Sequence, residues 1–321
     1  MESPQNIKKR LKSVNNIGQI TKAMELVSAT KMRKAQQIAL DSRPYAFAAL
    51  DFLATVSSLE NQKLPALFEV RKEIKKVLFV LVTSDKGLAG AFNSSIFKKF
   101  ESHFAKASRD KTAEKYAGEE RLYVAVGEKS FAYLTKKNLK VLKKFTNVGD
   151  FTTTEQVKPL ADFVVKGYLN KDFDRVIVIS THFRSALKQE PHVRRVLPID
   201  FDHIAETVTE IIPERGKFAE LIKENNISFV PDREKLKEYT IEPHPEKVLE
   251  KLAEHLFFMQ VYHLIVEANA SEHSARRMAM KTASDNAKDL GENLNLQYNK
   301  SRQSRITTEI SEISAGAEAL N

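Results

Sequence analysis

Residues 7–36 read IKKRLKSVNNIGQITKAMELVSATKMRKAQ, and this stretch decides the fold because its apolar residues recur every three or four positions. That spacing lines apolar side chains along one side of an α-helix, with a period close to the 3.5 residues of a coiled-coil seam. Ser3 and Pro4 offer a capping hydroxyl and a first-turn proline. We predict an N-terminal coiled-coil helix over residues 1–58. Its predicted seam contains Ile7, Leu11, Val14, Ile17, Ile20, Met24 and Val27.

The other end of the chain has the same character over a greater length. No proline follows Pro245, and we predict a C-terminal coiled-coil helix over residues 246–321. At 1.5 Å per residue this helix is about 110 Å long, a length typical of coiled coils. Both terminal helices join the middle of the chain, so we expect them to pack antiparallel. The predicted C-terminal seam contains Leu249, Leu252, Leu256, Met259, Val266, Leu290, Leu294 and Tyr298.

The last turns of the C-terminal helix form an apolar stripe. Because this helix is predicted to be the longer of the two, its end is expected to extend beyond the pair. No Lys or Arg follows Arg305. An exposed apolar stripe indicates an interaction site, so we predict an external socket that holds it. The stripe contains Ile306, Ile310, Ile313, Ala317 and Leu320.

The middle of the chain alternates strand and helix patterns. Residues 75–84, KKVLFVLVTS, form a continuous apolar run typical of a strand buried on both faces. Similar runs follow at 121–127 and 173–181, and 192–199 has the pattern of an edge strand. We predict the α/β fold class: an antiparallel coiled coil of long N- and C-terminal helices plus a small α/β domain with a largely parallel sheet. Helical patterns lie at 93–106, 128–137 and 155–170.

These patterns divide the chain into four predicted regions. The two coiled-coil helices flank an α/β base domain at residues 75–200. Residues 201–245 are charged and weakly patterned, and we predict an extended insertion there with a short helix around 215–225.

Charge and composition limit the classes of partner. The net charge is +9, and the absence of cysteine excludes disulfides, thiolate catalysis and cysteine-ligated metals. The N-terminal helix is one-sidedly basic, which is consistent either with a solvated face or with an acidic partner surface. We predict no nucleic-acid partner, because interleaved aromatics and a recognised binding module are missing. The basic residues are Lys8, Lys9, Arg10, Lys12, Lys22, Lys31, Arg33 and Lys34.

Nothing in the sequence predicts direct membrane insertion. No stretch approaches 18 consecutive apolar residues. The N-terminus also lacks the apolar core and cleavage pattern of a secretory signal. We therefore expect a protein that is soluble, or peripheral to a membrane through its partners.

Residues 84–93, SDKGLAGAFN, are the best candidate for a ligand-binding loop. A glycine-containing turn between a strand and a helix can cradle phosphate, but Gly87-x-x-Gly90 is not a nucleotide fingerprint. The simpler interpretation is a tight turn in which Asn93 or Ser94 caps the helix. We predict no cofactor. The alternative of a nucleotide-binding α/β enzyme with helical arms remains open at this point.

The histidines offer two further candidate sites. His263 and Glu267 lie one helical turn apart and are close enough to touch, although a metal site needs more converging ligands. Ser84, Asp85 and His182 contain the residue types of a hydrolase, but no Gly-x-Ser-x-Gly elbow is present. The patterns therefore predict neither a metal site nor a hydrolase.

Several segments together carry a family resemblance. They are residues 7–36, SRPYA at 42–46, SDKGLAGAFN at 84–93 and, towards the end, ASEHSARRMAMKTASDNAKDL and YNKSRQSRITTEISEISAGAEAL. These segments closely resemble the gamma subunit of F-type ATP synthase of the bacterial type. The resemblance implies a non-catalytic subunit that serves as the central-stalk rotor. Rotation of this shaft would couple ion flow through the membrane sector to ATP synthesis and hydrolysis.

The resemblance also implies partners and a location. The coiled coil would lie inside a ring of three alpha and three beta subunits, and the base would rest on the epsilon subunit and the membrane c-ring. The complex would be peripheral on the cytoplasmic face of the bacterial cell membrane. Ala89 stands where many relatives carry cysteine, so a redox-regulated chloroplast type, which needs a cysteine pair, is not supported.

Particular residues receive roles from the same resemblance. Lys22 and Met24 would lie near an acidic lever of a beta subunit. Lys8, Lys9 and Lys12 are assigned to partner contact from the one-sided basic charge of the helix and not from the resemblance. The apolar stripe from Ile306 to Leu320 would sit in a hydrophobic bearing at the top of the ring. The C-terminal residues that match family positions for coupling or beta contact are Arg276, Arg302, Gln303 and Thr307.

Overall fold

The computed structural model describes most of the chain, namely residues 3–41, 65–107, 119–199 and 244–318. In chain order its elements are α1 (Pro4–Asp41), β1 (Lys76–Val82), α2 (Phe92–Ala107), β2 (Glu120–Val126), α3 (Glu128–Lys136), β3 (Val141–Phe145), α4 (Thr154–Leu169), β4 (Arg175–Phe183), β5 (Gln189–Leu197) and α5 (Pro245–Glu318). A 3₁₀ turn occupies Ala66–Phe68.

The chain forms two compact units. The first contains Met1–Ala29 and Arg276–Asn321, and the second contains Thr30–Ala275. Both long helices contribute residues to both units. The predictions for residues 42–58 and 201–243, including the short helix around 215–225, lie outside the described residues, so the four predicted domain boundaries stay predictions.

The second unit is built on a five-stranded sheet with the order β3-β2-β1-β4-β5. The first four strands are parallel, and β5 is antiparallel to β4. The central strand β1 is buried on both faces, as its continuous apolar run predicted. Leu78, Val80 and Val82 face a core shared with α4 and α5, while Phe79 and Leu81 face one shared with α2 and α3. The predicted α/β fold class is confirmed.

Strand β3 is the one element of this sheet that the sequence patterns did not predict. Its residues Leu142, Lys143 and Lys144 are all exposed at the edge of the sheet. An edge strand with exposed lysines shows neither an apolar run nor a clean alternation, which are the signals of a strand. The predicted edge strand at 192–199 corresponds to β5, and the three predicted helices agree with α2, α3 and α4 to within one residue at each end.

The first unit is an antiparallel pair of helices with a seam of small residues. An ideal Cβ on Gly18 would lie 3.5 Å from Cβ of Ala287, and one on Gly291 would lie 3.2 Å from Oδ1 of Asn15. Rising numbers on α1 therefore face falling numbers on α5, as expected for an antiparallel pair. The close approach at these positions depends on the absence of large side chains on either helix.

The predicted seam of α1 was partly wrong. Ile17, Ile20 and Val27 are 53%, 59% and 54% exposed. Successive steps of three residues carry these side chains away from the partner, because a helix turns once in 3.6 residues. The observed seam instead alternates steps of four and three. Its buried and half-buried residues in this unit are Ile7, Leu11, Val14, Gly18, Thr21, Glu25 and Ser28.

The predicted seam of α5 was also partly wrong. Leu290 was predicted to lie in the seam, but it is 46% exposed. The buried residues of α5 in the first unit include Met280, Ala287, Gly291 and Leu294. Leu294 is therefore in the seam as predicted. Gly291 is buried in the seam, where Leu290 had been expected.

In the second unit, Glu267 of α5 lies at the centre of a buried polar cluster. Nδ1–H of His182 donates to its two carboxylate oxygens at 3.1 and 3.2 Å, and Nε2 of His263 lies 3.2 Å from Oε1. Nη1 of Arg194 lies 3.7 Å from Oε2. Burial alone raises the pKa of Glu267, but attraction to His263 and His182 outweighs it and lowers the pKa well below 4.5. The carboxylate is therefore ionised inside the core.

The small-residue seam generates a first prediction. Gly18→Ala is expected to raise the free energy of unfolding by up to about 1 kcal/mol, because alanine favours helix by that amount and its Cβ would make an ordinary contact. Gly18→Leu has a similar helix propensity but overfills the seam, and should lower the free energy of unfolding by about 1–3 kcal/mol. Urea unfolding followed by circular dichroism measures both. Equal stability of the two variants would contradict the close approach.

The Glu267 cluster generates a second prediction. Glu267→Gln is expected to lower the free energy of unfolding at pH 7 by about 3 kcal/mol, because it removes a buried carboxylate that accepts from His182 and faces the Arg194 guanidinium. A lowered pKa contributes stability that is present above the unfolded value of 4.5 and is lost as pH falls through the folded value. The gap between wild type and variant should therefore narrow below pH 4.5, as measured by urea unfolding across pH. A gap that stays constant down to pH 3 would refute the linkage.

Candidate coupling surface

The first turns of α1 present the predicted basic face to solvent. Lys8, Lys9 and Lys12 are exposed. Lys8 and Lys12 lie four residues apart and so share one side of the helix. The three lysines border a shallow groove of about 660 Å³, lined by Gln5, Lys8, Lys9, Leu11, Lys12, Asn15 and Asn16. This arrangement concentrates positive charge on one side of the first unit, which suits an acidic surface.

Further along α1 the basic residues differ in their surroundings. Nζ of Lys22 donates to Oε2 of Glu25 at 2.9 Å, so this cation is partly compensated within its own helix. Met24 is half-buried. In the second unit, Nζ of Lys31 lies 2.6 Å from Oδ1 of Asp150. Lys31 therefore serves an internal contact, whereas Lys8, Lys9 and Lys12 are exposed, as are Arg10, Arg33 and Lys34.

The far end of α5 presents the predicted apolar stripe. Every residue from 302 to 315 is exposed. Ile306, Ile310 and Ile313 are 42%, 59% and 73% exposed, while Leu320 lies outside the described residues. Isoleucines at spacings of four and three share one side of the helix. This uncovered stripe, residues 306–313, is called the tip below.

The polar residues singled out in α5 fall into two groups. Arg302, Gln303 and Thr307 are exposed beside the tip, and Thr307 Oγ1 donates to the carbonyl oxygen of Gln303 at 3.0 Å. Arg276 is only 8% exposed. The first group is available to a partner, whereas the Arg276 guanidinium is largely covered by its own chain. Their assigned roles in coupling remain predictions.

The polar groups of the loop at residues 84–93 form hydrogen bonds within the loop and to neighbouring segments of the chain. Asp85 accepts hydrogen bonds from the backbone N–H of Glu128 at 3.1 Å and from that of Asn147 at 2.9 Å. Asn93 does not cap the helix as predicted: its side-chain oxygen accepts from the backbone N–H of Ser84 at 3.1 Å. The loop is therefore a braced strand-to-helix turn, and its polar contacts give no support to the alternative of a nucleotide-binding enzyme.

The hydrolase residues are likewise engaged elsewhere. Ser84 Oγ donates to the carbonyl oxygen of Lys86 at 2.7 Å, and His182 bonds to Glu267. The predicted contact between His263 and Glu267 is present, inside the core. Within residues 3–41, 65–107, 119–199 and 244–318, no group of three or more His, Asp or Glu residues has the arrangement of a metal site. Across the same ranges, no helix combines the length and apolar character needed to cross a bilayer.

Solved structures with a similar fold come from rotary complexes. A chain of the Euglena gracilis mitochondrial ATP synthase, from a structure of OSCP, F1 and the c-ring, matches with a TM-score of 0.63 and 19% identity, covering 99% of this chain and 94% of that one. A chain of the Tetrahymena thermophila mitochondrial ATP synthase central stalk and c-ring matches with a TM-score of 0.52 and 22% identity, covering 83% and 99%. These likenesses establish the fold.

Sequence comparison establishes the family. The model of the family described as ATP synthase matches residues 3–320. The ATP synthase gamma chain of Roseiflexus castenholzii is 36% identical over 100% of this chain and 99% of the relative. That of Herpetosiphon aurantiacus is 37% identical over the whole of both chains. The chain therefore belongs to the ATP synthase gamma chain family and is a non-catalytic, central-stalk rotor subunit.

Proposed function

We propose that this rotor subunit turns inside a ring of three alpha and three beta subunits while its base rests on the epsilon subunit and the membrane c-ring. The complex lies on the cytoplasmic face of the bacterial cell membrane, to which this chain is held through its partners. The observation that carries the proposal is the exposed tip of α5, an apolar stripe on a long helix that needs a socket.

The tip suits a rotating contact. Apolar side chains gain from leaving water, and this gain does not depend on direction. Ile306, Ile310 and Ile313 can therefore stay in an apolar socket at every rotational angle. Hydrogen bonds or ion pairs at the same place would favour particular angles, because both are sensitive to geometry. The tip thus acts as an axial bearing.

The basic face suits the coupling contact. Lys8, Lys9 and Lys12 lie on one side of the first unit, so an acidic element on each of three surrounding subunits would meet this charge in turn. A one-sided rotor gives three chemically identical sites three different environments at any moment. Lys22 and Met24 are assigned to the same contact, and Arg302, Gln303 and Thr307 to the contact beside the tip.

Charge reversal tests the basic face. Replacing Lys8, Lys9, Lys12 and Lys22 with glutamate should slow assembly with alpha and beta subunits by about tenfold or more at low salt, because complementary charge steers association. ATP-driven rotation should fall, while the helical circular dichroism signal stays, because exposed charges contribute little to stability.

The matched control reverses four exposed lysines of the second unit, Lys98, Lys99, Lys136 and Lys158. It changes the net charge in the same sense but leaves the basic face intact, so assembly should be close to that of wild type. Equal slowing by both variants would assign the effect to net charge. Loss of the helical signal in the first variant would show that the face is structural.

Polar substitution tests the tip. Changing Ile306, Ile310 and Ile313 to glutamine should weaken retention of the chain in the ring by about 1.5–3 kcal/mol for each side chain that the socket buries. Sedimentation of the reconstituted complex measures retention. Leu187→Gln is the control, because Leu187 is 82% exposed and belongs to the second unit, whereas the tip belongs to the first. Undiminished retention of the triple variant would rule out an apolar socket.

A further inference from the structure

A segment of α5 in the second unit is buried on every side although it is rich in polar residues. Residues 261–274 are all buried. Helices covered all round are normally apolar, and a buried polar side chain is costly unless it has a hydrogen-bond partner. The polar members of this segment are His263, Glu267, Asn269, Ser271, Glu272, His273 and Ser274.

One side of this segment is bonded to the loop between β3 and α4, residues 146–153, which we name the collar loop. Nδ2 of Asn269 donates to the carbonyl oxygen of Val148 at 2.7 Å and also to Oγ1 of Thr152. Within the segment, Oη of Tyr262 donates to the carbonyl oxygen of Thr152 at 3.1 Å. The loop is thereby fixed to the helix at two positions about two turns apart.

The same loop also bonds to a third turn of α5 and to α1. Nε2–H of His273 donates to the carbonyl oxygen of Gly149 at 3.0 Å. Nζ of Lys31, on α1, lies 2.6 Å from Oδ1 of Asp150. Both long helices therefore hold the collar loop within the second unit.

A different side of α5 is bonded to β4, β5 and the turn that joins them. Glu267 accepts from His182 of β4. Ser274 Oγ donates to the carbonyl oxygen of Ala186 at 2.8 Å and accepts from Nε2 of Gln189 at 3.3 Å. β5 is the edge strand at the opposite side of the sheet from β3, and β3 leads into the collar loop. The two sets of bonds therefore come from opposite sides of the sheet.

The bonded residues lie on two different sides of α5, and this determines how the bonds oppose rotation of the helix about its axis. At about 100° per residue, Tyr262, Asn269 and His273 fall within roughly 40° of one another around the helix axis. Glu267 and Ser274 lie about 120–140° away from them. Turning α5 about its own axis would stretch directional bonds on both sides. Apolar side chains alone would resist such a turn only through their shape.

We infer that the collar loop and the β4–β5 hairpin form a torsional clamp on residues 261–274 of α5, which prevents this part of the helix from turning about its own axis within the second unit. Asn269 and Thr152 are positioning residues of this clamp. The inference rests on the rotor role and its proposed partners, because only a rotating subunit must carry torque between its base and its helices.

The test measures angular stiffness in the reconstituted complex with alpha and beta subunits. The chain has no cysteine, so Ser102→Cys on α2 gives a single attachment point for a rotation probe. With the ring immobilised and the rotor stalled, the variance of the probe angle is inversely related to torsional stiffness. Asn269→Leu with Thr152→Val removes both bonds of the Asn269 side chain but keeps those of Tyr262 and His273 to the loop. It should therefore raise this variance measurably, by up to about twofold, the value for complete loss of one of two sides that resist rotation independently. In the complete complex with its membrane sector, ATP-driven proton pumping should fall while ATP hydrolysis continues.

Two matched variants complete the test. Thr135→Val makes the same change at an exposed position of α3 and should leave the variance at the wild-type value. Thr152→Val alone keeps the bond from Asn269 to Val148, so it is the variant to measure if the double variant does not fold. A lower melting temperature with unchanged variance would overturn the clamp and leave these residues a purely structural role. If the wild-type chain fails to assemble, the proposed partners are wrong rather than the clamp alone.

Discussion

The burial of polar residues along α5 is the constraint on which the second unit depends. A helix segment with Glu267, Asn269 and His273 in its core is stable only if each group meets a partner. Those partners come from β4, β5 and the loop that follows β3. The order and register of the sheet are therefore tied to one orientation of α5. The requirement for satisfied hydrogen bonds makes the packing directional, which apolar burial alone does not achieve.

The first unit is packed differently from the second. Its seam contains Gly18, Thr21 and Ser28 on α1 and meets Ala287 and other small residues on α5. Small side chains at these positions allow close contact between the two helices, while the larger apolar side chains Ile17, Ile20 and Val27 lie on the outside. Part of the apolar surface of this unit is consequently exposed, which is consistent with the proposed ring of surrounding subunits.

The sequence predicted the elements more reliably than the faces they bury. β1, β2 and β4 were identified because a strand buried on both sides must be apolar throughout, whereas the exposed lysines of β3 concealed it. The seam of α1 was partly misassigned because hydrophobicity was taken as the sign of burial. A strict alternation of four and three through Gly18 and Thr21 would have indicated the correct face. Of the residues proposed for coupling, Lys8 and Ile310 are exposed, as the proposed partner contact requires, while Arg276 is buried.

The sequence by itself determined that both ends are long helices and that the last turns carry an apolar stripe. These properties follow from local periodicity and from the absence of proline after Pro245, and neither depends on distant residues. Only the tertiary structure decided which side of α1 faces α5, and that Glu267 meets His182 and Arg194. The physical reason is that burial and hydrogen bonding belong to pairs of residues far apart in the chain, so the pattern of one segment cannot specify its partner.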